Sequence, residues 1–203
     1  MYDEGDTLLN IYDECVKAGS PDLPIIFTST SKITFPGAGV AVEAASPNNV
    51  ALLKGRMKYQ TIGPDKLNQL RHARMFRTVE DIEKHMKRHA AILRPKFETV
   101  EKELQNQLSG TGIARWTTPR GGYFISLYVL EGCAKRVEQL CANAGMILTP
   151  AGATYPYGND PKDSNIRIAP SYPSVEEIEK ASEVLALAVR YAALEKLLAD
   201  KEN

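Results

Sequence analysis

The sequence predicts an α/β fold in which two short strands are followed by a long helix and a smaller α+β region. Three observations support this class. Continuous apolar runs bounded by turn residues occur near residues 25–27 and 39–46, apolar residues recur at helical spacing over 79–108, and strand-like and helical segments alternate afterwards. The 203 residues suit one large domain or two small ones, and we expect a division between 1–75 and 76–203.

The first elements are a helix and two strands. Residues 7–18 carry apolar side chains at helical spacing, and Gly19 follows where a C-terminal cap is expected. The run at 25–27 and the segment GVAVEAAS, closed by Pro47, each predict a strand. Because their apolar residues are continuous, we expect both strands to be buried on both faces of a sheet.

Helices dominate the middle of the chain. Residues 46–76 are expected to be helical, with a break at Gly63 and Pro64. The apolar residues of 79–108 form one stripe on a helix of about 30 residues. Pro95 lacks the amide that the helix needs, so a bend is expected there. A helix of this length often bridges two lobes.

The last third of the chain alternates between strands and helices. The segment ARWTTPRGGYFISLYVL predicts two strands around a turn, and CAKRVEQLCANAG predicts a helix that ends at Gly145. MILTPAG and SNIRIAPS predict two further strands. Ser174 and Glu177 have the spacing of a capping box at the start of the final helix.

Composition excludes several classes of function. The net charge is zero, which does not favour nucleic acid or an anionic membrane as a partner. The three cysteines form no CxxC pair and indicate reduced thiols in a cytoplasmic protein. The acidic start does not resemble a signal peptide, and no apolar run approaches the roughly 20 residues that span a bilayer.

Lys32 stands in FTSTSKITFPGAGVA without another charge nearby. Burial among apolar atoms and small hydroxyls would lower the pKa of its amine, as a Schiff-base lysine requires. Ser29 and Ser31 could donate hydrogen bonds to a phosphate, and Gly37 and Gly39 would let the backbone approach a ligand. The alternative is a solvated lysine at a strand end, which is the commoner outcome for S-x-S-K alone.

Arg167 stands in NIRIAP between apolar neighbours. A planar guanidinium can form two parallel hydrogen bonds to a carboxylate and so fix its orientation. The alternative is a surface arginine on a strand. The apolar neighbours favour the carboxylate-binding interpretation.

Four segments together resemble one protein family: TSTSKITFPGAGVA, QTIGPDKLNQLRH, TTPRGGYFISL and GMILTPAGATYPYGNDPKDSNIRIAPS. In this order they resemble fold-type I, pyridoxal-phosphate-dependent aminotransferases, and within them the aspartate aminotransferase subgroup Ic. The resemblance covers residues 2–198. It implies that 1–75 is the C-terminal part of the cofactor-binding large domain, and that 76–203 is a bridging helix with a small α+β C-terminal domain.

The resemblance also implies roles for particular residues. Lys32 would bond the aldehyde of pyridoxal 5′-phosphate and move a proton after substrate displaces it. Ser29, with Ser31 beside it, would contact the cofactor phosphate, and Arg167 would grip the substrate α-carboxylate. Many related enzymes have a phosphate-binding arginine where this chain has Val40. Lys66 and Arg71 are the candidates to replace it, in this subunit or from a partner subunit.

The function implied is transfer of an amino group between an amino acid, with aspartate suggested, and a 2-oxo acid, by a homodimer. The chain resembles only the C-terminal half of such an enzyme: a recombinant fragment, a proteolytic product or a truncated gene. The phosphate loop, the stacking aromatic and the aspartate that pairs with the pyridinium nitrogen have no counterparts here. We therefore expect weak cofactor binding and little activity from the chain alone, with an exposed sheet edge and exposed apolar surface.

Two other functions stay open at this stage, an effector-sensing domain of a transcriptional regulator and an inert remnant that binds nothing. His85 and His89 have the i,i+4 spacing of metal ligands, but without a third ligand we expect no metal and a solvated helix face. Tyr155 and Tyr157 could line a substrate entrance or simply pack.

Overall fold

The computed structural model of the chain describes residues 8–202. The predicted helix start at residue 7, the acidic first residues and the start of the resemblance at Tyr2 lie outside this range. The described chain forms two compact units, which we call the N-terminal unit, ending at His89, and the C-terminal unit, beginning at Ala90. The domain division between residues 75 and 76 stays a prediction.

The N-terminal unit contains most of the predicted helices and two strands. Its elements are α1 (Ile11–Lys17), β1 (Ile25–Ser29), β2 (Ala41–Ala45), α2 (Pro47–Met57), α3 (Lys66–Met75) and the first part of α4 (Val79–Leu108). The Asn10 side chain caps α1, and Gly19 follows it with a φ of 73° that an L side chain rarely adopts. The predicted break at Gly63 and Pro64 lies between α2 and α3.

The strands β1 and β2 pair antiparallel, with Phe27 opposite Glu43. The prediction that both are buried is wrong, because Phe27 is 71% exposed and Val42 is 56% exposed. Within residues 8–202 these two strands form a sheet by themselves, so no further strand covers their outer edges. The expectation of an open sheet edge and exposed apolar surface is confirmed.

Helix α4 is continuous through Pro95. Its apolar stripe is buried only in the second half, where Phe97, Val100 and Leu104 are at most 1% exposed, whereas Val79 in the first turn is 70% exposed. The stripe therefore marks the core of the C-terminal unit. The bend expected at Pro95 stays a prediction.

The C-terminal unit is a three-stranded antiparallel sheet packed with helices. After α4 come β3 (Ala114–Trp116), β4 (Ile125–Val129), α5 (Ala134–Asn143), a short 3₁₀ turn (Pro156–Gly158), β5 (Asn165–Ile168) and α6 (Val175–Glu202). The sheet order is β3-β4-β5, and alternate residues of β4 point into the core. Of the helices between residues 8 and 202, none combines the length and apolarity needed to cross a bilayer.

One predicted strand is absent. MILTPAG, residues 146–152, forms neither strand nor helix. The backbone N–H of Ala151 donates to Glu138 Oε2 at 2.7 Å, so at this point a side chain replaces the ladder hydrogen bond of a strand. The other predicted strands and the helix that ends before Gly145 are confirmed.

The capping box at the start of α6 is confirmed. The Ser174 N–H donates to Glu177 Oε2 at 2.7 Å, and the Glu177 N–H donates to Ser174 Oγ at 3.2 Å. The backbone N–H of Ser174, and then its hydroxyl, hold the pKa of Glu177 below its usual value. We expect Ser174→Ala to lower the free energy of unfolding by about 1 kcal/mol, measured by thermal unfolding.

This effect has a defined pH dependence. The pKa of Glu177 is lower in the folded protein than its usual value, so its ionised carboxyl stabilises the fold at pH values above the usual carboxyl pKa. This stabilisation is lost as the pH falls through the pKa of the folded protein. Ser174→Ala should therefore cost less at acid pH. Glu176→Ala is the matched control, since Glu176 also lies in the first turn. An equal loss of stability in both variants would contradict the capping role.

Candidate functional site

Lys32 lies in the connection between β1 and β2, as the sequence predicts, and we call residues 30–40 the lysine loop. The Thr30 N–H donates to the Val40 carbonyl at 2.9 Å and closes the loop at its base. The amides of Ile33 and Thr34 both donate to the Thr30 carbonyl at 2.8 Å, which forms a tight turn around Lys32. The backbone of Lys32 is thus fixed by its neighbours.

The expectation that Lys32 is buried is wrong, because its side chain is exposed. Lys32 is exposed because the loop that carries it joins β1 and β2, and both strands are themselves mostly exposed. The lysine therefore lies at the end of an uncovered sheet.

The hydroxyls expected to bind phosphate lie side by side. Ser29 Oγ and Ser31 Oγ are 2.7 Å apart, and the Ser31 N–H points to Ser29 Oγ at 3.4 Å. Each hydroxyl can turn its hydrogen toward an acceptor oxygen. This pair of donors suits an anionic group such as a phosphate.

Gly39 permits a close contact within the loop itself. A Cβ at this position would lie 3.0 Å from the Ser31 nitrogen and 3.1 Å from the Ser31 Cα. A side chain at this position would push the Ser31 backbone away by a few tenths of an ångström, so glycine favours the close fold of the loop on Ser31. The sequence indicated a close approach here, and in the structure its partner is the loop backbone.

The side chains that hold the lysine loop come from α3 and are not among the residues predicted from the sequence. Asn68 Nδ2 donates to the Gly39 carbonyl at 2.9 Å. His72 is buried, and its Nε2 lies 2.7 Å from Thr34 Oγ1 and 3.1 Å from Thr30 Oγ1. The i,i+4 spacing of Asn68 and His72 places them on one helix face, which is the signal that was available.

The first histidine of α4 also contacts this loop. His85 Nε2 donates to the Ile33 carbonyl at 2.8 Å, so the solvated-face interpretation is wrong for His85. The pKa of His89 is lowered mainly by burial and to a smaller extent by the positive charges of His85 and Arg88. Among residues 8–202 no group of three or more potential ligands could hold a metal ion.

Of the two cations proposed to neutralise the phosphate, one contacts the lysine loop. The Arg71 guanidinium lies 5.7 Å from the centroid of the Phe35 ring, which belongs to the loop. Lys66 is the exposed first residue of α3. The structure thus places Arg71 beside the loop, and its role toward a phosphate stays a prediction.

Arg167 belongs to the C-terminal unit, where it lies on β5 opposite Ser126 of β4. Its guanidinium lies 4.6 Å from the centroid of the Phe124 ring, a cation–π distance. Its Nε is buried and has no hydrogen-bond partner among the described residues. A buried donor without an acceptor is costly, and an anionic ligand would satisfy it.

Arg167 borders a cavity of about 190 Å³ inside the C-terminal unit. The other walls are mostly apolar and include Val100 of α4, Leu148 and Ile178 of α6. The irregular segment 146–149 forms one side, so its apolar residues line this cavity instead of continuing the sheet. The site can hold a small ligand with one anionic end.

The loop before β5 is held against the strand of Arg167. Thr154 Oγ1 donates to Asn165 Oδ1 at 2.6 Å, and Asn165 Nδ2 donates to Ser126 Oγ at 2.8 Å. Tyr157 is exposed at a φ of 58°, which is unusual for a residue other than glycine, and Tyr155 is half-buried. Their assignment to a substrate entrance stays a prediction.

Asp160 fixes the end of the loop before β5 through its side-chain carboxylate. Burial alone would raise its pKa, but the backbone N–H groups of Ser164, Asn165 and Lys162 hold the pKa of this carboxyl below its usual value. Its two oxygens accept these three bonds at 2.8–3.0 Å. The base of β5, next to Arg167, is therefore fixed by a charged acceptor.

The chain matches the family model described as aspartate amino-transferase over residues 1–201. It is 46% identical over 195 residues to an aspartate aminotransferase of Corynebacterium glutamicum, covering 96% of this chain and 45% of that protein. The crystal structure of an aspartate transaminase from Corynebacterium glutamicum superposes with a TM-score of 0.91 at 45% identity, over 96% of this chain and 46% of the other.

A more distant structure has the same fold. The α-aminoadipate aminotransferase LysN of Thermus thermophilus, complexed with N-(5′-phosphopyridoxyl)-L-leucine, superposes with a TM-score of 0.74 at 21% identity, over 94% of this chain and 48% of the other. The chain spans about half the length of the curated relatives it matches. With a family model that matches nearly all of its sequence, the chain belongs to the aspartate aminotransferase family.

Proposed function

We propose that the chain supplies the cofactor-bonding lysine and the carboxylate-binding arginine of a pyridoxal-phosphate-dependent aminotransferase. The complete enzyme transfers an amino group between an amino acid, with aspartate as the first choice, and a 2-oxo acid. The observation that carries this proposal is the pair of hydroxyls of Ser29 and Ser31, which lie 2.7 Å apart just before Lys32 in the sequence. Relatives named as aspartate aminotransferases support the choice of substrate.

The cofactor, when bound, supplies an electron sink that makes the substrate Cα–H acidic. Lys32 would bond the aldehyde of the cofactor and, once released, would hold the proton at its Nζ. The hydroxyls of Ser29 and Ser31 would donate to the cofactor phosphate, and Arg71 would add positive charge beside the loop. These residues would hold the cofactor and move one proton.

Arg167 binds the α-carboxylate of the substrate. Its guanidinium lies over the Phe124 ring, and its buried Nε has no acceptor in the described chain, so it is arranged to receive one. Two parallel hydrogen bonds would fix the orientation of the substrate. The mostly apolar cavity beside Arg167 would keep water from competing for those bonds.

We also propose that the complete enzyme is a cytoplasmic homodimer and that this chain alone is poorly active. The phosphate loop and the pyridinium-binding aspartate that the family implies are not assigned to any residue of this chain. The relatives named above are aminotransferases and not transcriptional regulators, which favours the enzyme over an effector-sensing domain.

Covalent trapping of the cofactor tests the role of Lys32. The chain is incubated with substoichiometric pyridoxal phosphate and reduced with borohydride, and the labelled lysines are identified by peptide mass mapping. We expect Lys32 to carry most of the label, because its neighbouring hydroxyls bind the phosphate. Lys54, which lies on α2, is the internal control for random labelling.

A second variant separates the phosphate site from simple lysine reactivity. Replacing both Ser29 and Ser31 with alanine should reduce the label on Lys32 to that on Lys54. Equal labelling of Lys32 and Lys54 in the unmodified chain would contradict the proposal.

A further inference from the structure

The lysine loop has little support from the sheet to which it is attached. Strands β1 and β2 are mostly exposed, and the loop carries the exposed Phe35 and Lys32. An exposed two-stranded hairpin is marginally stable by itself. The shape of the loop must therefore depend on contacts from other elements of the N-terminal unit.

The hydrogen bonds of His72 define its tautomer. Its Nδ1 lies 2.9 Å from the Asn68 carbonyl, which can only accept, so Nδ1 carries the hydrogen. In the neutral ring Nε2 is then an acceptor, and the Thr34 hydroxyl donates to it at 2.7 Å. The imidazole thus connects the α3 backbone to the turn just after Lys32.

The same group reaches both ends of the loop. Thr30 Oγ1, at the start of the loop, lies 3.1 Å from His72 Nε2 and also accepts the Val40 N–H at 2.9 Å. Asn68 donates to the neighbouring Gly39 carbonyl. One face of α3 therefore fixes the start of the loop against its end, and Gly39 packs on Ser31 as a result.

We propose that His72 is a positioning residue that holds Ser31 and Lys32 in the arrangement needed to bind the cofactor. This rests on the function proposed above for the lysine loop. His72 contacts Thr30 and Thr34, which lie on either side of Ser31 and Lys32, and it acts on the loop through these two threonines. His85 supports the same turn by its bond to the Ile33 carbonyl.

Two amide variants of His72 test this proposal as a matched pair. His72→Gln places an amide near the position of Nε2 and can still reach Thr34, whereas His72→Asn is too short to reach the loop. Both introduce one buried amide, so their stabilities should fall by similar amounts. The variants keep different bonds of His72: the glutamine amide can reach Thr34, whereas the asparagine amide can reach only the Asn68 carbonyl.

Two measurements on the 203-residue chain follow from this difference. The hydrogen exchange rate of the Val40 amide should rise about 10-fold in His72→Asn, which corresponds to the loss of one hydrogen bond, and should change little in His72→Gln. The preference of pyridoxal phosphate for Lys32 over Lys54 should disappear in His72→Asn and persist in His72→Gln. A purely structural histidine would give equal results for both variants.

Thr34→Val keeps the proposal testable if the His72 variants unfold. It removes the hydroxyl that lies 2.7 Å from His72 Nε2 and 3.1 Å from the carbonyl and hydroxyl oxygens of Thr30, keeps a β-branched side chain and leaves α3 unchanged. We expect the same rise in Val40 exchange and the same loss of Lys32 preference. Unchanged exchange and labelling in Thr34→Val would overturn the positioning role.

The outcomes separate this inference from the proposed function. If the unmodified chain shows no preference for Lys32, but Val40 exchange still responds to His72→Asn, the cofactor function fails and the effect of His72 on the loop stands. If the unmodified chain prefers Lys32 and neither His72→Asn nor Thr34→Val changes that preference, the positioning role fails and the cofactor function stands.

Discussion

Replacing Lys32 with alanine in the complete enzyme is expected to lower the transamination rate at least about 10³-fold. A side chain that transfers a proton in the rate-determining step typically contributes about 10²- to 10⁴-fold. The alanine variant would also lack the amine that bonds the cofactor, so cofactor bonding and proton transfer are lost together. The rate is measured as kcat with saturating cofactor and both substrates.

Lys32→Arg distinguishes charge from proton transfer. Arginine keeps a positive charge at position 32 but stays protonated, so it cannot accept a proton from the substrate. It should be almost as inactive as Lys32→Ala while binding the cofactor phosphate better. Lys54→Ala on α2 is the control and should keep full activity. Activity within 10-fold of the unmodified enzyme in Lys32→Arg would contradict the proton-transfer role.

Patterns within one element predicted most of the fold. The capping box of Ser174 and Glu177 depends on two residues three apart, and the structure confirms both of its hydrogen bonds. The stripe of α4 is likewise local, and it identified Phe97, Val100 and Leu104 as core residues. Such features are predictable because the residues that make them are neighbours in the sequence.

Burial could not be predicted for the first sheet. An apolar run such as 25–27 indicates a covered strand, but coverage depends on what packs against it. In the described chain β1 pairs with β2 and with no other strand, and Phe27 stays exposed. The same limit explains the exposure of Lys32, whose predicted burial depended on that sheet being covered.

The site was predicted where the chemistry is carried by a single segment and missed where it depends on tertiary contacts. Ser29, Ser31 and Lys32 lie within four consecutive residues, so the pair of hydroxyls before the lysine could be predicted. His72 contacts Thr30 and Thr34, which lie 42 and 38 residues away. The i,i+4 spacing of Asn68 and His72 indicates a shared helix face but does not indicate which residues that face contacts, and the wrong solvated-face interpretation of His85 has the same cause.

Replacing Arg167 with lysine is expected to reduce kcat/KM for the amino acid substrate by about 10- to 100-fold. Lysine keeps the charge but offers a compact ammonium in place of the planar fork, so one of two charge-assisted hydrogen bonds to the carboxylate is lost. A hydrogen bond to a charged group contributes about 1.5–3 kcal/mol, which gives this range. Arg167→Ala should cost more, because the carboxylate then has no cationic partner.

The substrate itself provides the decisive control. An amine that lacks the α-carboxylate has nothing for Arg167 to bind, so its low kcat/KM should be the same in the unmodified enzyme and in Arg167→Lys. Arg115→Lys is the matched variant, since Arg115 lies on β3 of the same sheet and its guanidinium lies 3.9 Å from the centroid of the Tyr128 ring. It should leave both substrates unaffected. If Arg167→Lys weakened the amine and the amino acid equally, Arg167 would act through the structure of β5, and its buried Nε would need another partner than the substrate carboxylate.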